Sequence, residues 1–193
     1  MRLAIFGGTF DPIHKAHLAL GRAALGQFHL DRILFVPAAS PPHKSGITYA
    51  GYEDRVRMAE LACAVEPRFE VSRLEENTER SYSIDTIETV RARLSAGDEL
   101  FFLIGADAFA ELGTWHRWRD IVEAVTFIVV SRPGKVYRVP EGASIERLET
   151  LDLPISSSEI RGALARGKLA TGIPDQVLRY IVRHRLYGVP ATG

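Results

Sequence analysis

The chain has 193 residues, 46% of them hydrophobic and 25% charged, with 24 Lys and Arg against 24 Asp and Glu. That length gives one domain a sizeable core and is short for two, and the composition is that of an ordinary globular protein. Balanced charge excludes a protein-wide field that would gather nucleic acid or anionic lipid, so any anion binding has to be local.

In chain order, residues 2–8 (RLAIFGG) read as a short buried strand and 17–28 as an apolar-faced helix. A second strand covers 32–39, and a helix over 52–65 carries acidic residues in its first turn, as the helix dipole favours. A third strand at 69–75 leads to a helix over 83–97, with Ser83 as the expected N-cap and Gly97 as its end. Residues 99–107 form the most buried strand, because their apolar run does not alternate. Next come a helix around 116–125, a strand at 126–132, a loop and a short strand at 146–153. The tail is helical over 156–167 and 174–188. Alternating strands and helices predict an α/β fold, a single doubly wound, mainly parallel sheet with helices on both faces.

Cys63, the one cysteine, lies in the apolar run MAELACAV and has no internal disulfide partner. This fits a reducing compartment, and a small buried side chain is the plainest reading of it. No charged-then-apolar leader opens the chain, and no apolar run reaches the ~18 residues of a membrane span. A soluble, cytoplasmic protein is expected.

Two common nucleotide fingerprints are missing. No G-x-G-x-x-G comes after the first strand, and G-x-x-x-x-G-K-[ST] occurs nowhere; GRAALG (21–26) is followed by Gln27 where a P-loop has lysine. The first strand runs instead into Gly7-Gly8-Thr9-Phe10-Asp11-Pro12-Ile13-His14-Lys15-Ala16-His17. Gly8 and its neighbours let backbone N–H groups approach an anion, Pro12 stiffens the turn, and the next helix presents its positive end there. Residues i and i+3 share a helix face, so His14 and His17 can reach one phosphate as donors. A pair of unrelated structural histidines is the bland alternative. A metal pair needs a third ligand, for which Asp11 is a weak candidate. Far along the chain, Ile155-Ser156-Ser157-Ser158-Glu159-Ile160-Arg161 combines hydroxyls and N–H groups at a helix start with one arginine, a local anion clamp. Taken alone, it would read as a serine N-cap and a helical arginine.

Together these two segments resemble the two signatures of the nucleotidyltransferase superfamily, G-x-F-[DN]-P-x-H-x-G-H and I-S-S-T-x-I-R. The likeness narrows to the bacterial nicotinate-nucleotide adenylyltransferases in PAASPPHK (37–44), ERSYSIDTI (79–87), LIGADAFAELGTWHRW (103–118), VVSRPG (129–134) and IPDQVLRYIVRHRLYG (173–188). Essentially the whole chain is covered, in order. The resemblance implies a Rossmann-like nucleotidyltransferase fold in which 1–193 form one domain with a helical segment from about 155.

The resemblance also implies transfer of AMP from ATP to the phosphate of nicotinate mononucleotide, giving deamido-NAD and pyrophosphate. Mg²⁺ accompanies ATP, and no protein side chain holds a metal. His14, His17, Lys44 and Arg161 take the catalytic roles, with Lys44 near the ATP phosphates, His17 facing the α-phosphate, and Ser157, Ser158 and Arg161 at the β/γ end. Gly7, Gly8, Thr9, Phe10, Gly105, Asp107 and Ile155 complete the ATP site. Nicotinate mononucleotide falls to Gly8, Thr9, Ser83, Thr86, Asp107, Trp115, His116 and Arg132: Trp115 lies against the pyridine ring, Thr86 and N–H groups near 116 at its carboxylate, and Asp107 on ribose. Trp118 is assigned to packing. Neither nucleic acid nor membrane is an expected partner, and a homo-oligomer is compatible with the chain. The competing functions are the same chemistry on nicotinamide mononucleotide or phosphopantetheine, and a non-catalytic nucleotide sensor. One departure stands out: Ala16 replaces the glycine of H-x-G-H, and a single methyl in a helix first turn is expected to be harmless.

Overall fold

A computed structural model of the chain describes residues 1–40, 49–149, 155–168 and 170–189. Its elements are β1 (Arg2–Gly8), α1 (Lys15–Gln27), β2 (Arg32–Pro37), α2 (Tyr52–Cys63), β3 (Phe69–Val71), α3 (Ser83–Arg91) and β4 (Glu99–Gly105). After these come α4 (Ala106–Ala110), α5 (Trp118–Ala124), β5 (Thr126–Ser131), β6 (Ser144–Glu149), α6 (Ser157–Ala165) and α7 (Asp175–Arg183). Single 3-10 turns lie at Leu112–Thr114 and Leu186–Gly188.

The six strands form one sheet in the order β3-β2-β1-β4-β5-β6, with every neighbouring pair parallel. The central strands are apolar on both faces, which is why their sequences run without alternation. Successive side chains of a strand point to opposite faces, and the two cores obey that rule. Ala4, Phe6, Phe101 and Leu103 pack on one side with α1, α2 and α7, and Leu3, Ile5, Phe102 and Ile104 pack on the other with α3 and α5. The chain winds outward from β1 to β3, then crosses to β4 and winds the other way. The carboxyl ends of β1 and β4 therefore flank the topological switch point, where such sheets open a ligand crevice.

Several elements differ from the sequence expectation. Helix α1 begins at Lys15, not residue 17, so His17 sits inside its first turn and His14 caps it. Ser83 is the first residue of α3 with Tyr82 as its cap, and α3 stops at Arg91; Gly97 adopts φ +93° in a later turn. β3 ends at Val71, and β4 ends at Gly105 because residues 106–110 turn into α4, too short to show a helical period in sequence. α5 covers 118–124, and the last helix stops at Arg183. β6 spans 144–149, and the remainder of the 146–153 strand falls largely outside the described residues. The C-terminal helices fold back onto the start of the chain. Val177 and Ile181 of α7 are buried, Tyr180 Oη donates to Asp54 at 2.9 Å, and the Lys15 N–H donates to Gly172 O at 2.8 Å.

Candidate active site

Residues 8–14 leave β1 at the switch point and enter α1. At Gly8 an added Cβ would stand 3.0 Å from the Phe10 ring, so the position accepts nothing larger without moving that ring. Phe10 itself is buried and turns at φ 47°, which puts its ring under His17 at 5.1 Å between centroids and 84° between planes. The His14 backbone N–H donates to His17 Nδ1 at 3.2 Å, so His17 plays the part of the glutamate in a capping box. An accepting Nδ1 carries no proton, which leaves Nε2–H as the ring's donor. The two imidazoles stack face to face at 3.7 Å. Burial alone lowers the His14 pKa from 6.5 to about 4, so at neutral pH it is an uncharged ring.

Across the crevice stands α6. Ser156 caps it by accepting from the Glu159 N–H at 3.2 Å, while Ser157 Oγ donates to Pro12 O at 3.0 Å and so ties the helix start to the β1–α1 loop. Arg161 sends one nitrogen to Asp11 O at 2.7 Å and another to Ser158 Oγ at 3.2 Å, with its guanidinium 4.1 Å from the centre of the Tyr49 ring. These residues line a cleft of about 480 Å³, bounded by Gly8, Thr9, His14, His17, Ile155, Ser157 and Arg161. The starts of α1 and α6 both border it, and exposed N–H groups of a helix start favour an anion. Among the described residues Asp11 is the one carboxylate on its wall, and its oxygens already accept from the Tyr49 N–H (2.7 Å), the Ala50 N–H (3.2 Å) and Tyr187 Oη (2.7 Å). Among the described residues, what the cleft offers a ligand is therefore donors and one cation, Arg161.

A second, smaller cavity of about 40 Å³ lies between the start of α3 and the segment before α5, lined by Ser81, Tyr82, Ser83, Trp115, His116 and Ile121. The Tyr82 and His116 rings lie 4.3 Å apart, and half-buried Trp115 meets Phe102 edge-on at 6.2 Å. Thr86 is buried, and its hydroxyl already donates to Glu75 at 2.8 Å, so its side chain does not face the cavity as an unused donor. Burial raises the Glu75 carboxyl above the usual range. Asp107 stands in the first turn of α4 with a 92% exposed side chain paired to Lys135, while Gly105 ends β4 and Arg132 comes just after β5. Gly7 lies on β1 beside the cleft without lining it. Trp118 packs half-buried against the second core. Lys44 lies outside the described residues.

The family model for cytidylyltransferase-like proteins matches residues 5–163. A protein of Solibacter usitatus named "Probable nicotinate-nucleotide adenylyltransferase" is 63% identical over 187 residues, covering 97% of this chain and 100% of that protein. The chain belongs to the nicotinate-nucleotide adenylyltransferase family. A Geobacter metallireducens member of the same name is 39% identical, over 97% of this chain and 98% of its own. Among solved structures, a Plasmodium falciparum nicotinic acid mononucleotide adenylyltransferase complexed with NaAD shares the fold at TM-score 0.79, with 21% identity and 99% of each chain covered.

Within this adenylyltransferase the structure answers the Ala16 departure. Ala16 is buried in the first turn of α1 and does not line the cleft, so its methyl takes no space from a ligand there. Sequence reasoning missed Arg55, Tyr187, Tyr49 and Glu75, which hold the site from residues distant in the chain; a buried arginine within an otherwise amphipathic α2 was the one available signal. His14 also makes a stability prediction. Between pH 6.5 and 4 the unfolded chain binds a proton at His14 that the folded chain refuses, so stability falls as pH drops through that window. His14→Asn keeps a good N-cap, and it should remove about 2–3 kcal/mol of the acid-side loss in urea unfolding compared at pH 7 and 4.5.

Proposed function

We propose that the chain transfers AMP from ATP to the phosphate of nicotinate mononucleotide, releasing pyrophosphate and deamido-NAD. The observation that supports this reading is the donor-lined cleft at the switch point, where two helix starts, a histidine pair and Arg161 converge on a space with no unsatisfied carboxylate among the described residues. The acceptor phosphate oxygen attacks the α-phosphorus, that P–O bond forms, and the bond to the bridging α–β oxygen breaks. No protein nucleophile is required, so catalysis consists of aligning two anions and stabilising charge on the phosphoryl oxygens and leaving group. His17 meets the α-phosphate as an N–H donor with His14 stacked beside it, while Ser157, Ser158 and Arg161 hold the β/γ end and Lys44 lies near the ATP phosphates. Gly8, Thr9 and Phe10 supply the loop backbone.

The acceptor lies toward the second cavity, with its pyridine ring on Trp115 and its carboxylate at the N–H groups of Ser83 and His116; Thr86, four residues past the Tyr82 cap, has its own N–H inside the α3 ladder. With the Thr86 hydroxyl occupied by Glu75, the main-chain donors carry the selection of carboxylate over amide. Asp107 and Arg132 contact the sugar and phosphate. Among the described residues no group of three or more His, Cys, Asp or Glu side chains could hold a metal ion. Mg²⁺ would arrive with ATP on the triphosphate oxygens, where it would neutralise charge on the phosphates.

The 193 residues are read as one domain acting in the cytoplasm, a reading with which the single, free cysteine, Cys63, is consistent. No described helix is long and apolar enough to cross a membrane, and charge balance argues against a nucleic-acid partner. Pyrophosphate release with Mg-ATP and each of three acceptors tests the reading. Turnover is expected best with nicotinate mononucleotide, at least about tenfold over nicotinamide mononucleotide and far above phosphopantetheine. ATP binding without pyrophosphate release from any acceptor would point to a nucleotide sensor instead.

A further inference from the structure

Behind the phosphate cleft lies a buried ionic cluster with no part in the chemistry above. Arg55, on α2, is 0% exposed. It donates to Thr9 O at 2.8 Å, Ala38 O at 2.7 Å, Ala50 O at 3.3 Å and Ala39 O at 3.5 Å. Asp11 and Glu75, both buried, are carboxylates facing this cluster; Asp11 is held by the Tyr49 and Ala50 N–H groups and by Tyr187 Oη, and Glu75 accepts from Thr86. A buried cation is costly unless every donor is matched, and the planar guanidinium fork is what lets one side chain serve acceptors from separate segments. Those segments all belong to the site: the phosphate loop at Thr9, the exit from β2 at Ala38 and Ala39, and the entry to α2 at Ala50. Ala38 and Ala39 on one side and Ala50 on the other are thus bound to the same side chain, and in sequence they bracket 41–48, which carries Lys44.

We propose that Arg55 is a positioning residue for adenylyl transfer, setting the spacing between the phosphate loop and both flanks of the segment that carries Lys44, with Asp11 and Tyr187 fixing its place. This rests on the adenylyl-transfer reading of the cleft. A purely space-filling role would be met by an apolar side chain of similar volume, and such replacements of buried charge are often neutral for stability. An apolar side chain cannot hold main-chain carbonyls from three segments in register.

Arg55→Lys keeps the cation opposite Asp11 but replaces the fork with a compact ammonium. With Mg-ATP and nicotinate mononucleotide, its kcat is expected to fall about 100-fold while the KM for the acceptor stays within about threefold. Unfolding remains cooperative. Tyr187→Phe removes one hydroxyl from Asp11 and leaves the charges alone, and its kcat should fall about three- to tenfold. It decides the matter if Arg55→Lys does not fold. A folded Arg55→Lys with kcat within about threefold of the parent overturns the proposal, as does Tyr187→Phe with unchanged kcat when Arg55→Lys is unfolded. A parent chain that releases no pyrophosphate defeats the adenylyl-transfer reading instead. Arg55 is then judged on binding of a non-hydrolysable ATP analogue, which should weaken at least about tenfold in Arg55→Lys and, if unchanged, overturns the proposal.

Discussion

Turnover in His17→Ala is expected to fall by about 100- to 1000-fold, with the protein still folded. The stability cost is small because one capping interaction is lost, the acceptance of the His14 N–H by Nδ1, worth about 1 kcal/mol. The catalytic cost is large because His17 is held in place before any ligand arrives. Its ring is stacked on His14 at 3.7 Å and set edge-on to Phe10 at 5.1 Å, and the hydrogen bond to Nδ1 fixes which nitrogen donates. A donor so fixed needs no reorganisation as charge builds on the α-phosphoryl oxygens. Steady-state pyrophosphate release alongside a thermal midpoint separates the two costs. Unchanged turnover in the folded variant would remove His17 from the mechanism.

Arg161→Ala should lower kcat/KM for ATP about 100-fold through a higher KM for ATP, with the acceptor's KM nearly constant. Arg161 links α6 to the β1–α1 loop through Asp11 O and is the cation on the cleft wall among the described residues. On the proposed reading, its loss removes one of two charge-assisted donors, Lys44 being the other, from the ATP phosphates and leaves the Asp11 carbonyl without this partner, but it touches nothing near Trp115 or His116. Arg161→Lys restores charge without the fork, so it should recover only part of the loss, because one ammonium cannot reach Asp11 O, Ser158 Oγ and a phosphate together. Initial rates with ATP varied at saturating acceptor, then the reverse, make the comparison. An equal rise in both KM values would mean a general distortion.

The segments that were legible are those whose signal is local. The unbroken apolar runs of β1 and β4, the glycines that end β1, the histidines three apart and the serines before Arg161 each reflect constraints among near neighbours. The errors fall where a short segment is decided by what it packs against. Residues 106–110 form one short helix between β4 and a 3-10 turn, and α3 ends six residues before Gly97 because Ala92 already caps it through the Glu88 carbonyl. Thr86 was expected to face a ligand, yet its hydroxyl meets Glu75, eleven residues earlier and across a loop.

By itself the sequence determined the alternating α/β order, the single sheet of buried parallel strands, and the two segments, with His14, His17, Ser157, Ser158 and Arg161, that the fold brings to one cleft. Periodicity, glycine and capping chemistry are properties of adjacent residues, and the chain records them directly. Only the tertiary structure decided that the histidine pair is the capping pair of α1, that Arg161 reaches Asp11 across 150 positions, and that Arg55, Asp11 and Tyr187 form one buried cluster. Those contacts join residues far apart in the chain, and a buried charge takes its partner from whatever the fold brings within about 3 Å, a match that leaves no periodic trace in the sequence.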